Sequence, residues 1–281
     1  MFNICLIGLG RTGKEIAKVL LKQEDFKVVM AVGSENSDKI GKDLGEIAGC
    51  PPTGVIVSSS KHLEENIIRY KPNVAVEFSS PESTLNNLEV LAKMKVRTVV
   101  GTTGFNKLQY RRLLSIAGTH KTGIVYAPNI TVGVNVLMVL TNLAVSILEN
   151  YDCTIVESHF KQKKDSPSGT AKKIAREVVK GKAREIPDVF NQTDHDEIPI
   201  HSVRAGGIVG RHKVILASDY DTIEILHESF TRTAFALGAV KAIRFICDRT
   251  GYFEMDDVLD LKQVILSYIE RETQIKRVQM L

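Results

Sequence analysis

The chain has 281 residues, 43% of them hydrophobic and 25% charged, with a formal charge of +4. That length allows about two domains with a sizeable core, and so mild a charge, spread without a basic stripe, argues against a nucleic-acid partner. Four cysteines, at 5, 50, 153 and 247, have no paired spacing and lie in or beside apolar segments. They fit free thiols in a reducing cytoplasm, not a disulfide framework or a zinc site, and no metal is expected. The first apolar run breaks at Gly8, too soon for a signal peptide. The stretch 132–148 is interrupted by Asn135, Thr141, Asn142 and Ser146, which predicts a buried helix rather than a membrane span.

In chain order, residues 3–8 form a strand-type run that leads into Gly8-Leu-Gly10-Arg11-Thr12-Gly13 and then a helical pattern. A GxGxxG alone is a weak signal. Placed between strand and helix, with a second β-rich run at 26–32, it predicts a dinucleotide fold. Gly8 and Gly10 let the backbone turn and approach a pyrophosphate, and Gly13 lets helix and strand pack closely. The helix N-terminus then offers N–H groups and its dipole to the phosphates. The second strand ends at Gly33-Ser34, without the carboxylate that would accept a ribose 2′-hydroxyl. Ser34, Asn36, Ser37 and Lys39 could donate to a 2′-phosphate, so NADPH is favoured over NADH, although Glu35 is close by.

Strands are predicted near 73–78, 97–101 and 123–127. Each runs into a polar loop: Ser79-Ser80-Pro81-Glu82, Gly101-Thr102-Thr103-Gly104-Phe105, and Pro128-Asn129. In a parallel doubly wound sheet these loops gather at the carboxyl edge, where ligands bind. The candidate cofactor contacts are therefore Gly8, Gly10, Arg11, Thr12, Gly13, Ser34, Phe78, Ser79, Gly101, Thr102, Thr103, Ala127, Pro128 and Asn129.

After the helix at 131–149 the pattern turns to β, and 153–160 carries His159 to a strand end. From Thr170, Ala171, Ile174, Ala175, Val178 and Val179 make one helical stripe that stops at Gly181. Ser168 is then an N-cap, and Gly169 admits a ligand to bare backbone N–H groups. A carboxylate docked on Ser168-Gly169-Thr170 would be within reach of Lys163. His159 suits proton donation because its unperturbed pKa is near neutral. Spacing does not rank Lys161, Lys163 and Lys164. Beyond a polar loop at 182–197, residues 200–218 read as two strands across a glycine-rich turn and 222–230 as a third. These form an antiparallel or mixed sheet, one face of which would be open and suited to self-association. Two helical stretches close the chain and pack back on the first domain.

The stretches GLGRTG, GTTGF, APNITVGVN, ESHFKQKKDSPSGTA, SVRAGGIVGRH, RTAFALGA and GYFEMDDVL together resemble the 4-hydroxy-tetrahydrodipicolinate (dihydrodipicolinate) reductase family over the whole length. The resemblance implies a Rossmann-like parallel sheet over 1–129 and 239–281. It also implies an α+β domain with a mixed open sheet over 130–238, which binds substrate and builds a homotetramer. It implies NAD(P)H-dependent reduction of a cyclic imine dicarboxylate in diaminopimelate and lysine biosynthesis. His159 is similar to the family's proton donor, Lys163 to its catalytic or substrate-binding lysine, and Ser168, Gly169 and Thr170 to its carboxylate loop. Gly8, Gly13, Gly101, Thr103 and Asn129 fall at cofactor positions. Three positions depart from the family: Phe160 replaces a second histidine that contacts a substrate carboxylate, Gly207 an aspartate, and Leu237 a polar residue. Two other functions are therefore kept open, an imine reductase with another small carboxylate and a catalytically silent NADPH-binding protein.

Overall fold

The computed structural model describes residues 1–183 and 198–279. Along the chain run β1 (Phe2–Ile7), α1 (Arg11–Leu20), β2 (Phe26–Gly33), α2 (Leu44–Ala48), β3 (Val57–Ser59), α3 (Leu63–Tyr70), β4 (Val74–Glu77), α4 (Pro81–Lys93), β5 (Arg97–Val100), α5 (Lys107–His120) and β6 (Gly123–Tyr126). There follow α6 (Val132–Ile147), β7 (Asp152–His159), α7 (Gly169–Lys182), β8 (Ile200–Arg204), β9 (Gly210–Ala217), β10 (Thr222–Ser229), α8 (Thr233–Ile246), β11 (Gly251–Phe253), α9 (Met255–Val258) and α10 (Leu261–Gln279).

Seven strands form one parallel sheet in the order β11-β6-β5-β4-β1-β2-β3. Its middle strands are near-continuous apolar runs because helices cover both faces. On one face, Ile16, Ala17 and Leu20 of α1 share a core with Ala236, Ala239, Val240, Ile243 and Ile246 of α8. On the other, Leu63 and Ile67 of α3 and Leu91 of α4 pack with Cys5, Ile7 and Met30. The chain leaves β1 in one direction and β4 in the other, so a crevice opens at their carboxyl ends. The doubly wound architecture expected from the sequence is present. Two short edge strands, β3 and β11, had no sequence signal: three residues are too few to show a period.

The second sheet has the order β10-β9-β7-β8. It is mixed, as expected, with β7 antiparallel to β9 and parallel to β8. The two strands read across the glycine-rich turn are not a hairpin, however, because β7 lies between them. Ile155 at the centre of β7 and Val214 and Leu216 on β9 face α6 and α7 in a shared core, so β7 occupies the buried middle position. Two other expectations need correction. Gly181 lies inside α7 instead of ending it. A Cβ there would come within 2.5 Å of the Asn142 carbonyl and of Val145, so the glycine permits close packing on α6. Nor is α6 buried all round: Val136, Leu140, Leu143 and Ile147 form an exposed stripe opposite its packed face. No described helix is long and apolar enough to cross a membrane. Most of the polar stretch at 182–197 lies outside the described residues.

Candidate active site

A cleft of about 440 Å³ lies between the carboxyl edge of the first sheet and the ends of β7, β9 and β10. Of the residues expected at the site, Gly10, Arg11, Thr12, Gly13, Phe78, Ser79, Gly101, Thr102, Thr103, Pro128, Asn129, His159, Lys163 and Thr170 line it. Gly8, Ser34, Ala127, Ser168 and Gly169 are not among its walls. Gly8 is half-buried and Ala127 buried, and Ser34 is exposed at the end of β2.

The glycine loop is shaped for a phosphate. A Cβ on Gly13 would sit 1.9 Å from the Gly8 carbonyl, and one on Gly8, at φ +88, 2.4 Å from the Phe78 carbonyl. These two glycines are needed for packing. Gly10, which lines the cleft, is different: a Cβ there meets no atom within 4 Å. As N-cap of α1 it contributes no side-chain hydrogen bond, and the first turn of α1 carries no acidic residue. The N-terminal N–H groups are left to a ligand, which fits a dinucleotide pyrophosphate. Gly101 is required because the Phe78 ring lies against it, 2.0 Å from where a Cβ would be. Beside the loop, Glu35 is held by Lys61 at 3.2 Å. Lys14, Lys39 and Lys42 line a second hollow with Asp38, Glu46 and Ile47.

On the other wall, His159 ends β7 and is 7% exposed. Its Nδ1 bonds Glu157 Oε2 two residues earlier on the same face of the strand. Glu157 is fully buried and also accepts from Arg204 Nη2 at 2.7 Å and from the Ser168 backbone N–H at 3.4 Å. Burial alone would raise its pKa, but the hydrogen bonds from His159 and Arg204 outweigh that and hold the carboxyl down to about 2. An ionised carboxylate can only accept, so Nδ1 of His159 carries a proton and Nε2 is the atom left to exchange one. Gly210 leaves room beside that nitrogen; even a bare Cβ would approach it to 3.3 Å.

His212 faces Glu157 across the β7/β9 ladder, its ring 5.2 Å from that of His159. Burial first, and then the neighbouring positive charges, push its pKa down to about 3. It is therefore a neutral imidazole. Ligand atoms of Glu157, His159 and His212 lie within 4.8 Å of one another, a spacing that a metal could use. The carboxylate is already hydrogen-bonded to Arg204 and His159.

Among the three lysines, Lys163 faces the cleft while Lys161 and Lys164 are exposed. Its Nζ lies 2.7 Å from Asp165 Oδ1. Burial raises the Asp165 pKa, but the hydrogen bond and charge of Lys163, together with the Gly169 N–H, bring it below the usual range. Asp165 thus occupies part of the anion cradle read from the sequence. Ser168 is the N-cap of α7, its Oγ accepting from Ala171 N at 3.2 Å. Thr170 Oγ1 reaches across to Asn129 Oδ1 at 2.5 Å. Sequence reasoning missed Glu157, Arg204 and His212. The available signal was Glu157-Ser158-His159, whose i, i+2 spacing puts acid and imidazole on one strand face. Of the departing positions, Phe160 lines the cleft, whereas Gly207 and Leu237 are exposed.

Comparison with known proteins gives one answer. The family model for the N-terminus of dihydrodipicolinate reductase matches residues 2–130, and that for its C-terminus matches 133–259. The 4-hydroxy-tetrahydrodipicolinate reductase of Methanocaldococcus jannaschii is 36% identical over 274 residues, 94% of this chain and 99% of that protein. That of Methylococcus capsulatus is 36% identical over 263 residues, 90% of this chain and 96% of that protein. The dipicolinate-bound dihydrodipicolinate reductase of Paenisporosarcina sp. TG-14 superposes with a TM-score of 0.71 at 26% identity, covering 90% of this chain and 97% of that one. A probable dehydrogenase from Thermotoga maritima, at 12% identity and a TM-score of 0.62, shares the fold. Matched along both halves and related to these enzymes over nearly its full length, the chain belongs to the dihydrodipicolinate reductase family.

Proposed function

We propose that this protein reduces 4-hydroxy-tetrahydrodipicolinate to tetrahydrodipicolinate in the diaminopimelate and lysine pathway, drawing its reducing equivalent from NAD(P)H. The observation that carries this reading is one cleft holding both the open phosphate cradle at Gly10 and the hydrogen-bonded His159. The nicotinamide cofactor would supply a hydride. Gly10, Arg11 and Thr12 hold its phosphates at the start of α1, while Phe78, Ser79, Gly101, Thr102, Thr103, Pro128 and Asn129 form the walls for the rest. Gly13 lines the cleft beside them, and Gly8 and Ala127 support the turn and the strand end.

The 4-hydroxyl leaves as water to give a conjugated imine, and hydride addition to that ring leaves excess negative charge that a nearby acid must neutralise. His159 Nε2 provides the proton, and Glu157 stabilises the imidazolium that must form before donation. Lys163, Gly169 and Thr170 hold one substrate carboxylate at the N-terminus of α7, with Ser168 fixing that turn. For this, Lys163 exchanges Asp165 for the substrate.

NADPH is the favoured cofactor. Supporting this, Glu35 is engaged by Lys61, and three lysines, Lys14, Lys39 and Lys42, line one hollow with only two carboxylates, Asp38 and Glu46. Residues 1–129 and 239–281 form the cofactor domain and 130–238 the substrate domain, which tetramerises through the open face of its sheet. Buried or half-buried free thiols at 5, 50, 153 and 247 suit a cytoplasmic enzyme.

The test is to condense pyruvate with aspartate semialdehyde and follow loss of reduced nicotinamide absorbance on adding the protein. Rapid oxidation is expected. Because Phe160 alters the substrate wall, a second reading is an imine reductase with another carboxylate substrate, and oxidation only with other cyclic imines would replace the first reading with it. Cofactor binding without turnover of any imine would leave a silent binding protein.

A further inference from the structure

The substrate proposed above carries two carboxylates, and the α7 turn with Lys163 accounts for one. Besides His159, the positively chargeable residues that line the cleft are Arg11, Lys163, Arg232, His212 and His227. His212 and His227 are both driven toward the neutral form by burial. Lys163 belongs to the first carboxylate. Two guanidinium groups remain, and both lie against the same ring: Arg11 Cζ is 4.4 Å and Arg232 Cζ 5.9 Å from the centroid of Phe160. Among the described residues neither has an acidic partner. Arg11 opens α1 beside the phosphate cradle, while Arg232 precedes α8 and follows Ser229 at the end of β10, on the wall that carries His212 and His227.

We propose that Arg232 binds the second carboxylate of the substrate, with the Phe160 ring as the shelf that holds its guanidinium at the cleft. A phenyl face attracts a guanidinium but accepts none of its N–H groups in a strong hydrogen bond, so the planar fork stays available for bidentate capture of a carboxylate. The replacement of an imidazole by Phe160 then moves the contact by one link. Phe160 no longer touches the carboxylate; it presents an arginine that does. This inference rests on the dicarboxylate reading.

The test uses the full-length protein with its cofactor and two probes, pyridine-2,6-dicarboxylate and pyridine-2-carboxylate. The wild type should bind the diacid far more tightly than the monoacid. Arg232→Met should weaken the diacid by about 10-fold to 100-fold, the loss of one charge-assisted bidentate contact. It should leave the monoacid and cofactor dissociation constants within about twofold, so that discrimination between the probes collapses. Arg232→Lys should recover part of it, since the charge remains without the fork, and Phe160→Leu should cost several-fold on the diacid alone. Unchanged discrimination in Arg232→Met, with cofactor affinity intact, would overturn the assignment. A wild type that fails to distinguish the two probes would instead defeat the dicarboxylate reading, and this inference with it.

Discussion

Thr170 Oγ1 and Asn129 Oδ1 are 2.5 Å apart, joining the first turn of α7 to the loop after β6. Asn129 is fixed from behind as well, its carbonyl accepting from Asn135 Nδ2 at 2.7 Å. The carboxylate turn and the cofactor wall are therefore in direct contact. Thr170→Val keeps the shape and removes the bond. It should lower kcat/KM about tenfold and reduce the mutual strengthening of NADPH and pyridine-2,6-dicarboxylate binding. A double-mutant cycle with Asn129→Ala, read by titration calorimetry, should show coupling of about 1 kcal/mol. Additive effects would mean that the bond links nothing.

Glu157 acts through His159. Glu157→Gln retains the shape and an acceptor for Nδ1 but has no charge to stabilise an imidazolium, so kcat should fall on the order of 10²-fold while the NADPH dissociation constant is unchanged. The pH–rate profile should shift too. A drop in stability without that shift would give Glu157 only a packing role, since the change also leaves Arg204 without its carboxylate.

How much of this was legible in the sequence follows from the range of the interactions. The glycine loop, the polar loops at strand ends and the Ser168 cap are set by short-range geometry, and all appear where the sequence puts them. The network around Glu157 depends on strand order. Only because β7 lies between β8 and β9 do Arg204 and His212 converge on one carboxylate, and no local pattern encodes that neighbourhood. Asp165 was hidden for a different reason: nothing in its spacing shows that its carboxylate pairs with Lys163. The exposed stripe on α6 was hidden because its outward residues are apolar while two of its polar ones, Asn135 and Thr141, are buried, so the polar pattern does not mark the side turned outward.

His212 supplies a pH signature in stability. Its pKa is about 3 in the fold and near 6.5 when unfolded, so between those values the unfolded chain binds a proton that the native one does not. Stability from this group is fully present above about pH 6.5 and is lost as pH falls toward 3. His212→Gln, compared with the wild type by urea midpoints across that window, should show a flatter decline, with a difference of a few kcal/mol at most. Parallel declines would show that His212 titrates normally.

The glycines of the loop should separate packing from binding. At Gly13 an added methyl meets the Gly8 carbonyl at 1.9 Å, so Gly13→Ala should cost more than about 2 kcal/mol of stability. At Gly10, a residue that lines the cleft, the same methyl meets nothing within 4 Å. Gly10→Ala should therefore melt within a few degrees of the wild type yet weaken NADPH about tenfold, because the methyl takes the space where the backbone approaches the pyrophosphate. Thermal melts and fluorescence titration of the reduced cofactor measure the two effects independently. Unaltered affinity in Gly10→Ala would remove the phosphate cradle from this loop, because the substitution changes nothing else within reach.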